Sequence, residues 1–229
     1  MKLKNIYRYP TTVRETIDGK RHYAIKSEKL PSVTTILSAT ESAEKREALA
    51  KWRQAKGEEI ATRIVDESAA RGTAMHKILE KSILEEVYLY LTNVGRDAHN
   101  MAIRVIEQGL CNVPEYYGTE CTLYYPGLYA GQTDLVAIHK GKDAIIDFKQ
   151  TNKPKKREWI EDYCLQLAAY AMAHNFIYKT KIDKGVIMMC SKDNFYQEFV
   201  IEGLEFQKYK HNFLRRVDEY YQTRPKKAG

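Results

Sequence analysis

From about residue 117 to residue 201 the chain reads as strand, strand, strand, helix, strand, strand, and that order leaves few folds open. The strand-like segments are 120–125, 129–138, 144–149, 185–190 and 195–201, and the helix WIEDYCLQLAAYAMAH occupies 159–174. Turns at Pro126-Gly127, Lys140-Gly141-Lys142 and Lys192-Asp193-Asn194 separate the strands. A last amphipathic helix follows over 204–221. Hairpin-linked strands followed by a helical connection predict an α/β fold, with a central mixed β-sheet flanked by helices.

The front half has a different texture. Residues 42–110 are rich in Ala, Glu, Lys and Arg, contain no proline, and predict helix with breaks at Gly57, Gly72 and Gly95. Within 68–86, Met75, Leu79 and Ser82 form one stripe with Ile78 beside it, and His76 and Glu80 share a helix face. Before this region, residues 12–26 predict a hairpin around Asp18-Gly19, and Leu30-Pro31-Ser32 opens a helical region with Ser32 capping 33–38. The expected organisation is a single domain, 1–229, in three parts. These are an N-terminal hairpin (1–29), a helical layer (30–112) lying over the site described next, and an α/β core (113–229). The tail at 224–229 is expected to be loose.

Several function classes fall away. No apolar run reaches the ~20 residues of a membrane span, and the start MKLKNIYRYP lacks the apolar stretch of a secretory signal, so we expect an intracellular protein. An organellar matrix and a host cytoplasm both fit that expectation. Cys111, Cys121, Cys164 and Cys190 form no C-x-x-C pair, which argues against a zinc site, a redox dithiol or an iron–sulfur cluster. The net charge of +7 favours an anionic partner, with nucleic acid the commonest, and the 17 tyrosines offer rings that can stack on unpaired bases.

The segment AIIDFK at 144–149 sharpens this. A strand so apolar should be buried, yet Asp147 and Lys149 lie two apart and so share one face. Asp134 lies on the preceding strand, where hairpin geometry can bring it beside Asp147. Two carboxylates suit a hard cation such as Mg²⁺ or Mn²⁺, and the Phe148 carbonyl between the charged residues is a natural third ligand. Lys149 can orient or deprotonate an attacking water and steady the charge developing on a phosphate.

These residues resemble the PD-(D/E)xK nuclease superfamily in its RecB-like exonuclease branch. That family's G-x-x-D and D-x-K match Gly131-Gln132-Thr133-Asp134 and Asp147-Phe148-Lys149, and its Q-x-x-x-Y helix matches Gln166 and Tyr170. Its upstream histidine matches His76 in GTAMHKILE. LPSVTTIL at 30–37 and DFKQTNKPK at 147–155 are similar to segments of the mitochondrial genome maintenance exonucleases within it. The chain departs from the superfamily's name at Thr133, where a proline would stand. The resemblance implies a restriction-endonuclease-like core. It also implies metal ligation by Asp134, Asp147 and His76, catalysis by Lys149, and a place in the site for Gln166 and Tyr170. Glu120 and Glu80 are additional acidic candidates. Lys153, Lys155, Lys156 and Arg157, directly after the catalytic strand, and Arg71, Lys77, Arg53 and Arg63 on the helices, are candidate DNA contacts. The implied activity is a Mg²⁺- or Mn²⁺-dependent exonuclease acting on single-stranded DNA with a free end. A structure-specific or restriction-type endonuclease of the same superfamily, and a catalytically inactive nucleic-acid-binding module, are the alternatives.

Overall fold

The computed structural model describes residues 1–223, so the expectation for the tail at 224–229 lies outside them. A two-residue strand, β1 (Lys2–Leu3), precedes a three-stranded antiparallel sheet of β2 (Val13–Ile17), β3 (Lys20–Ile25) and β4 (Glu28–Pro31). Asp18 and Gly19 take φ of 50° and 71°. Positive φ at both turn residues matches the twist of flanking strands, so the expected hairpin forms. Pro31 ends β4, an edge strand that tolerates proline, and does not open a helix. Ser32 caps α1 (Val33–Ala39), its Oγ accepting from the Thr35 N–H at 2.9 Å.

The helical region divides into α2 (Ala43–Lys56), α3 (Glu58–Ile83) and α4 (Asn93–Gln108). Gly57, with φ 80°, ends α2 as expected. Gly72 does not break α3. A Cβ there would stand 3.4 Å from Gln150 Cγ, so this glycine serves close approach to the sheet. Gly95 lies in the first turn of α4, and the true break is the non-helical stretch after Ile83, rich in β-branched and aromatic residues. The buried stripe of α3 runs Met75, Ile78, Leu79, Ile83, while Ser82 is exposed.

Strands β5 (Glu115–Tyr125), β6 (Tyr129–His139) and β7 (Lys142–Thr151) form an antiparallel meander. A 3-10 turn at Arg157–Trp159 delays the next helix, α5, to Glu161–Tyr178. α5 returns the chain to β8 (Lys184–Ser191), parallel to β7, and β9 (Tyr196–Glu202) pairs antiparallel with β8 before α6 (Gly203–Gln222). The sheet order is β1-β5-β6-β7-β8-β9, the mixed sheet that the element order predicts.

Both faces of the sheet are covered. Leu135, Ala137, Ala144, Ile146, Phe148, Val186 and Met188 pack with the second half of α3 and with α4. Val136, Ile145, Ile187 and Met189 pack with α1, α5 and α6. Each fully buried Leu, Ile or Phe contributes roughly 2 kcal/mol, which is why a strand like β7 can be apolar on both faces and still carry charge at one end. The helices expected as one layer therefore split. α4 and the second half of α3 buttress the sheet, whereas α2, which buries no residue of its own, stands clear of it with the first half of α3. No helix among the described residues is long and apolar enough to cross a membrane.

Candidate active site

The β6–β7 ladder stops at Leu135 and Ile146, one step before Asp134 and Asp147. Beyond that point the Asp134 carboxylate takes the place of a strand acceptor: Oδ2 receives the Phe148 N–H at 2.6 Å. Asp147 and Lys149 share the face of Ile145, as period two requires, and they form an ion pair. The Lys149 ammonium lies 5.0 Å from the centre of the Tyr163 ring. From α3, His76 brings Nδ1 to 3.2 Å from Asp134 Oδ1.

Glu120 is more central than its sequence context suggests. One ligating atom each from His76, Glu120 and Asp134 lies within 4.8 Å of the others. Glu120 sits inside β5 yet takes φ 50°, a left-handed conformation costing a non-glycine residue about 1–3 kcal/mol. Two contacts hold it there: the Gln132 side chain donates to the Glu120 carbonyl at 2.8 Å, and Thr119 Oγ1 donates to the Asp134 carbonyl at 3.0 Å.

The charges perturb one another. Burial pushes Asp147 up to about 6, with Asp134 adding to the push against the pull of Lys149. Burial raises Glu120 to about 7, again with help from Asp134. Burial would also raise Asp134, but His76, Lys149 and the Phe148 N–H outweigh it and hold this carboxyl below its usual value. For Lys149, burial favours the neutral amine, and the two aspartates override it, so the ammonium is held above its ordinary range. His76 is likewise raised, Asp134 overcoming the effect of burial. His76, Glu120 and Asp134 form a donor set that a divalent cation fits, while Asp147, paired with Lys149, lies beside that cluster.

Glu120 supplies a stability test. Its value rises from the ordinary 4.5 to about 7, so its burial as an anion opposes folding above pH 7, and the penalty fades as pH falls toward 4.5. In EDTA, Glu120→Gln should therefore raise the melting temperature at pH 8, and the gain should shrink at pH 5. A gain of equal size at both pH values, or none at pH 8, would show that Glu120 is not buried as an anion.

Gln166 and Tyr170 lie one turn apart on α5, with Gln166 Nε2 donating to Tyr170 Oη at 3.2 Å. Both line the cleft with Asp134, Asp147 and Lys149, and there they bond each other. Gly131 makes room for the ring: a Cβ there would come within 2.6 Å of Tyr170 Cε1.

The cleft has a volume of about 680 Å³, and Arg14, Arg21 and Tyr23 of the small sheet and His76, Lys77 and Glu80 of α3 complete its wall. A second chamber of about 600 Å³ shares Gly72, His76 and Lys149 with it. Its other walls are Leu49 and Trp52 of α2, Ile64, Val65 and Ser68 of α3, Gln150 and Asn152 at the end of β7, and Tyr163 of α5. An ion pair between Lys45 and Asp162 ties the start of α2 to the start of α5, and Arg53–Glu58 ties its end to α3. α2 thus bridges α5 and α3 across the second chamber.

Other candidates are placed differently. Arg71 is buried and its guanidinium donates to Gln150 Oε1 at 2.9 Å and to Asn152 Oδ1, fastening α3 to the end of β7. Both partners are neutral amides, so the guanidinium keeps its charge while it braces α3 against β7. Glu80 pairs with Lys77 at 2.7 Å, not with His76. Lys153, Lys155, Lys156 and Arg157 line neither chamber. Arg157 pairs with Glu205 of α6 at 2.6 Å and the Lys156 ammonium lies over the Trp159 ring, so the run turns away from the cleft after Asn152. Arg53 is held by Glu58, and Arg63 is exposed on α3 outside both chambers. Residues that the sequence reading missed include Arg14, Arg21, Trp52 and Tyr163. Tyr163 had a signal, since 163, 166 and 170 follow helical spacing on one face.

No family model matches the chain. Among curated proteins it is similar to mitochondrial genome maintenance exonuclease 1 of Mus musculus, 28% identical over 208 residues, which is 86% of this chain and 60% of that protein. The Homo sapiens protein is 28% identical over 83% of this chain and 58% of its own. The chain thus spans about 60% of the length of the curated relatives it matches. A looser likeness to a solved structure, that of SSO0001, covers 89% of this chain and 80% of that one at 15% identity and a TM-score of 0.42. By sequence, this chain is similar to the mitochondrial genome maintenance exonucleases over most of its own length, in the exonuclease branch that its motifs resemble.

Proposed function

We propose that this protein, acting as a single nuclease domain, hydrolyses phosphodiester bonds of single-stranded DNA from a free end, with Mg²⁺ or Mn²⁺ as its metal. The observation that carries the reading is the break between β6 and β7. There one lysine, one histidine and three carboxylates converge in a cleft whose entrance is basic. The relatives are exonucleases by name, which supports DNA as the substrate and exonucleolytic action.

Asp134, Asp147, His76 and Glu120 would hold the cation, with the Phe148 carbonyl as a further oxygen ligand. Such an ion supplies Lewis-acid activation of phosphate and of water. The chain's own residues do the rest. Lys149, paired with Asp147, stands where it can orient or deprotonate the attacking water and steady the charge that develops on the phosphate. Tyr163 and Asp147 restrict where that ammonium can sit. Arg14, Arg21 and Lys77 line the approach and attract phosphates, while Gln166 and Tyr170 shape the floor.

The preference for an end follows from α2. Because α2 is tied to both α5 and α3, the second chamber leads from Lys149 past this helix as a passage open to solvent, with Trp52 and Tyr163 in its walls. A flexible strand threads such a passage, whereas a duplex must first be opened at ~1.4 kcal/mol per base step. Linear single-stranded DNA should be consumed while circular single-stranded DNA of the same sequence stays largely intact. Comparable loss of both would point to the endonuclease alternative, and no nucleotide release with added Mn²⁺ would point to the inactive binding module.

A further inference from the structure

After Ile83 the chain passes from α3 to α4 in non-helical form, and the burial of residues 87–91 alternates. Val87, Leu89 and Leu91 are 93%, 68% and 87% exposed. Tyr88 and Tyr90 lie on the other side and line the cleft together with Arg14, Arg21 and Lys77. Residues two apart in an extended chain are separated by roughly 6.6 Å. The two rings keep that spacing, with centroids 6.5 Å apart and planes within 9° of parallel. Bases stacked in a strand rise about 3.4 Å each, so near-parallel rings whose centroids stand nearly twice that far apart leave, wherever they face each other, the room that one flat ring fills.

Both walls are fixed by the fold although the segment is exposed. Tyr88 packs on the hydrophobic cluster beneath α3 and α4. Tyr90 is seated through Gly95: a Cβ at that position would lie 2.2 Å from the Tyr90 carbonyl oxygen and 2.3 Å from its Cδ1. The first turn of α4 gives up a side chain at that contact, and Thr92 Oγ1 fixes the turn by accepting from the Gly95 N–H at 3.1 Å.

We propose that Tyr88 and Tyr90 form a nucleobase slot, in which one unpaired base is held between the two rings while the strand's phosphates follow Arg14, Arg21 and Lys77. This rests on the nuclease reading and adds to it a stacking site at the mouth of the cleft. Because every base has a π-face, the slot accepts any base, and it excludes one that is still paired and stacked in a duplex.

The test measures binding of the full chain, in EDTA, to a fluorescein-labelled oligothymidylate and to a base-free deoxyribose-phosphate strand of the same length and charge. Tyr90→Ala should weaken binding of the oligothymidylate about tenfold, the weight of one stacked base, and leave the base-free strand unaffected. Tyr90→Phe, which keeps the ring, should restore the preference for the base-bearing strand. Leu89→Ala, on the outward side, should change neither. Tyr90→Ala that matches the unmodified protein on both strands, or that weakens both equally, overturns the slot while leaving the nuclease reading intact. Failure of the unmodified protein to bind or cut any strand overturns both.

Discussion

Lys149→Ala should leave the protein folded and lower DNA cleavage by at least ~100-fold. The size follows from the role: removing one preorganised charge or donor from a transition-state site costs ~10²–10³ in rate. Among the described residues Lys149 is the only lysine lining both chambers, and Asp147 and the Tyr163 ring hold its ammonium in place. The fold should survive because Asp147, already pushed up to about 6, can take a proton once its partner is gone and so avoid standing as an unpaired buried anion. Circular dichroism and a melting curve check the fold, and nucleotide release from an end-labelled strand checks the rate. Lys149→Met, which keeps most of the stem packed under Tyr163, should be as inactive as the alanine variant. A folded alanine variant with near-normal turnover would remove Lys149 from the mechanism.

Asp134→Asn and Asp147→Asn should each abolish cleavage, for different structural reasons. Asparagine at 134 can still accept the Phe148 N–H, so the break between β6 and β7 should persist, but the anion facing His76 and Glu120 is lost. Asparagine at 147 removes the carboxylate paired with Lys149, so the lysine loses its anchor as well as the site losing a hard oxygen ligand. The first variant should bind Mn²⁺ more weakly in a calorimetric titration. The second should in addition lower the Lys149 pKa, which would appear as a shift in the reactivity of that amine. EDTA should silence the unmodified protein, with Mg²⁺ or Mn²⁺ restoring it. Full cleavage in EDTA would contradict any role for a cation.

How far these expectations could be drawn without coordinates depends on the range of the interactions involved. The α/β order, the I′ hairpin at Asp18-Gly19, the Ser32 cap and the shared face of Asp147 and Lys149 rest on φ preferences, caps and side-chain periods. Those are properties of neighbours in the chain. Asp134 opposite Asp147 was legible for the same reason, because a short turn fixes a hairpin's register.

Where local chemistry is permissive, the sequence misled. Gly72 looked like a helix breaker, and packing against Gln150 turned it into a contact point, since a glycine's cost within a helix is only about 1 kcal/mol. Arg71 looked free, and the fold ties its guanidinium to the Gln150 and Asn152 side chains. In the run at 153–157, read from sequence as a single set of DNA contacts, Arg157 pairs with Glu205 of α6 while Lys153 and Lys156 stay exposed.

The sequence by itself determined which elements form, which way their side chains point, and the identity of the carboxylates and lysine at the break between β6 and β7. Only the tertiary structure decided what meets them: Glu120 bent toward His76 and Asp134, Tyr163 beside the ammonium, Arg14 and Arg21 from the small sheet, α2 beside the second chamber, and the two tyrosines lining the cleft. Hydrophobic periods specify that an element has a buried face, but burial is non-directional, and many dockings remove the same apolar area from water. Which of them forms is settled by shape and charge between segments as far apart in the chain as Arg14 and Asp147, and no local pattern encodes that meeting.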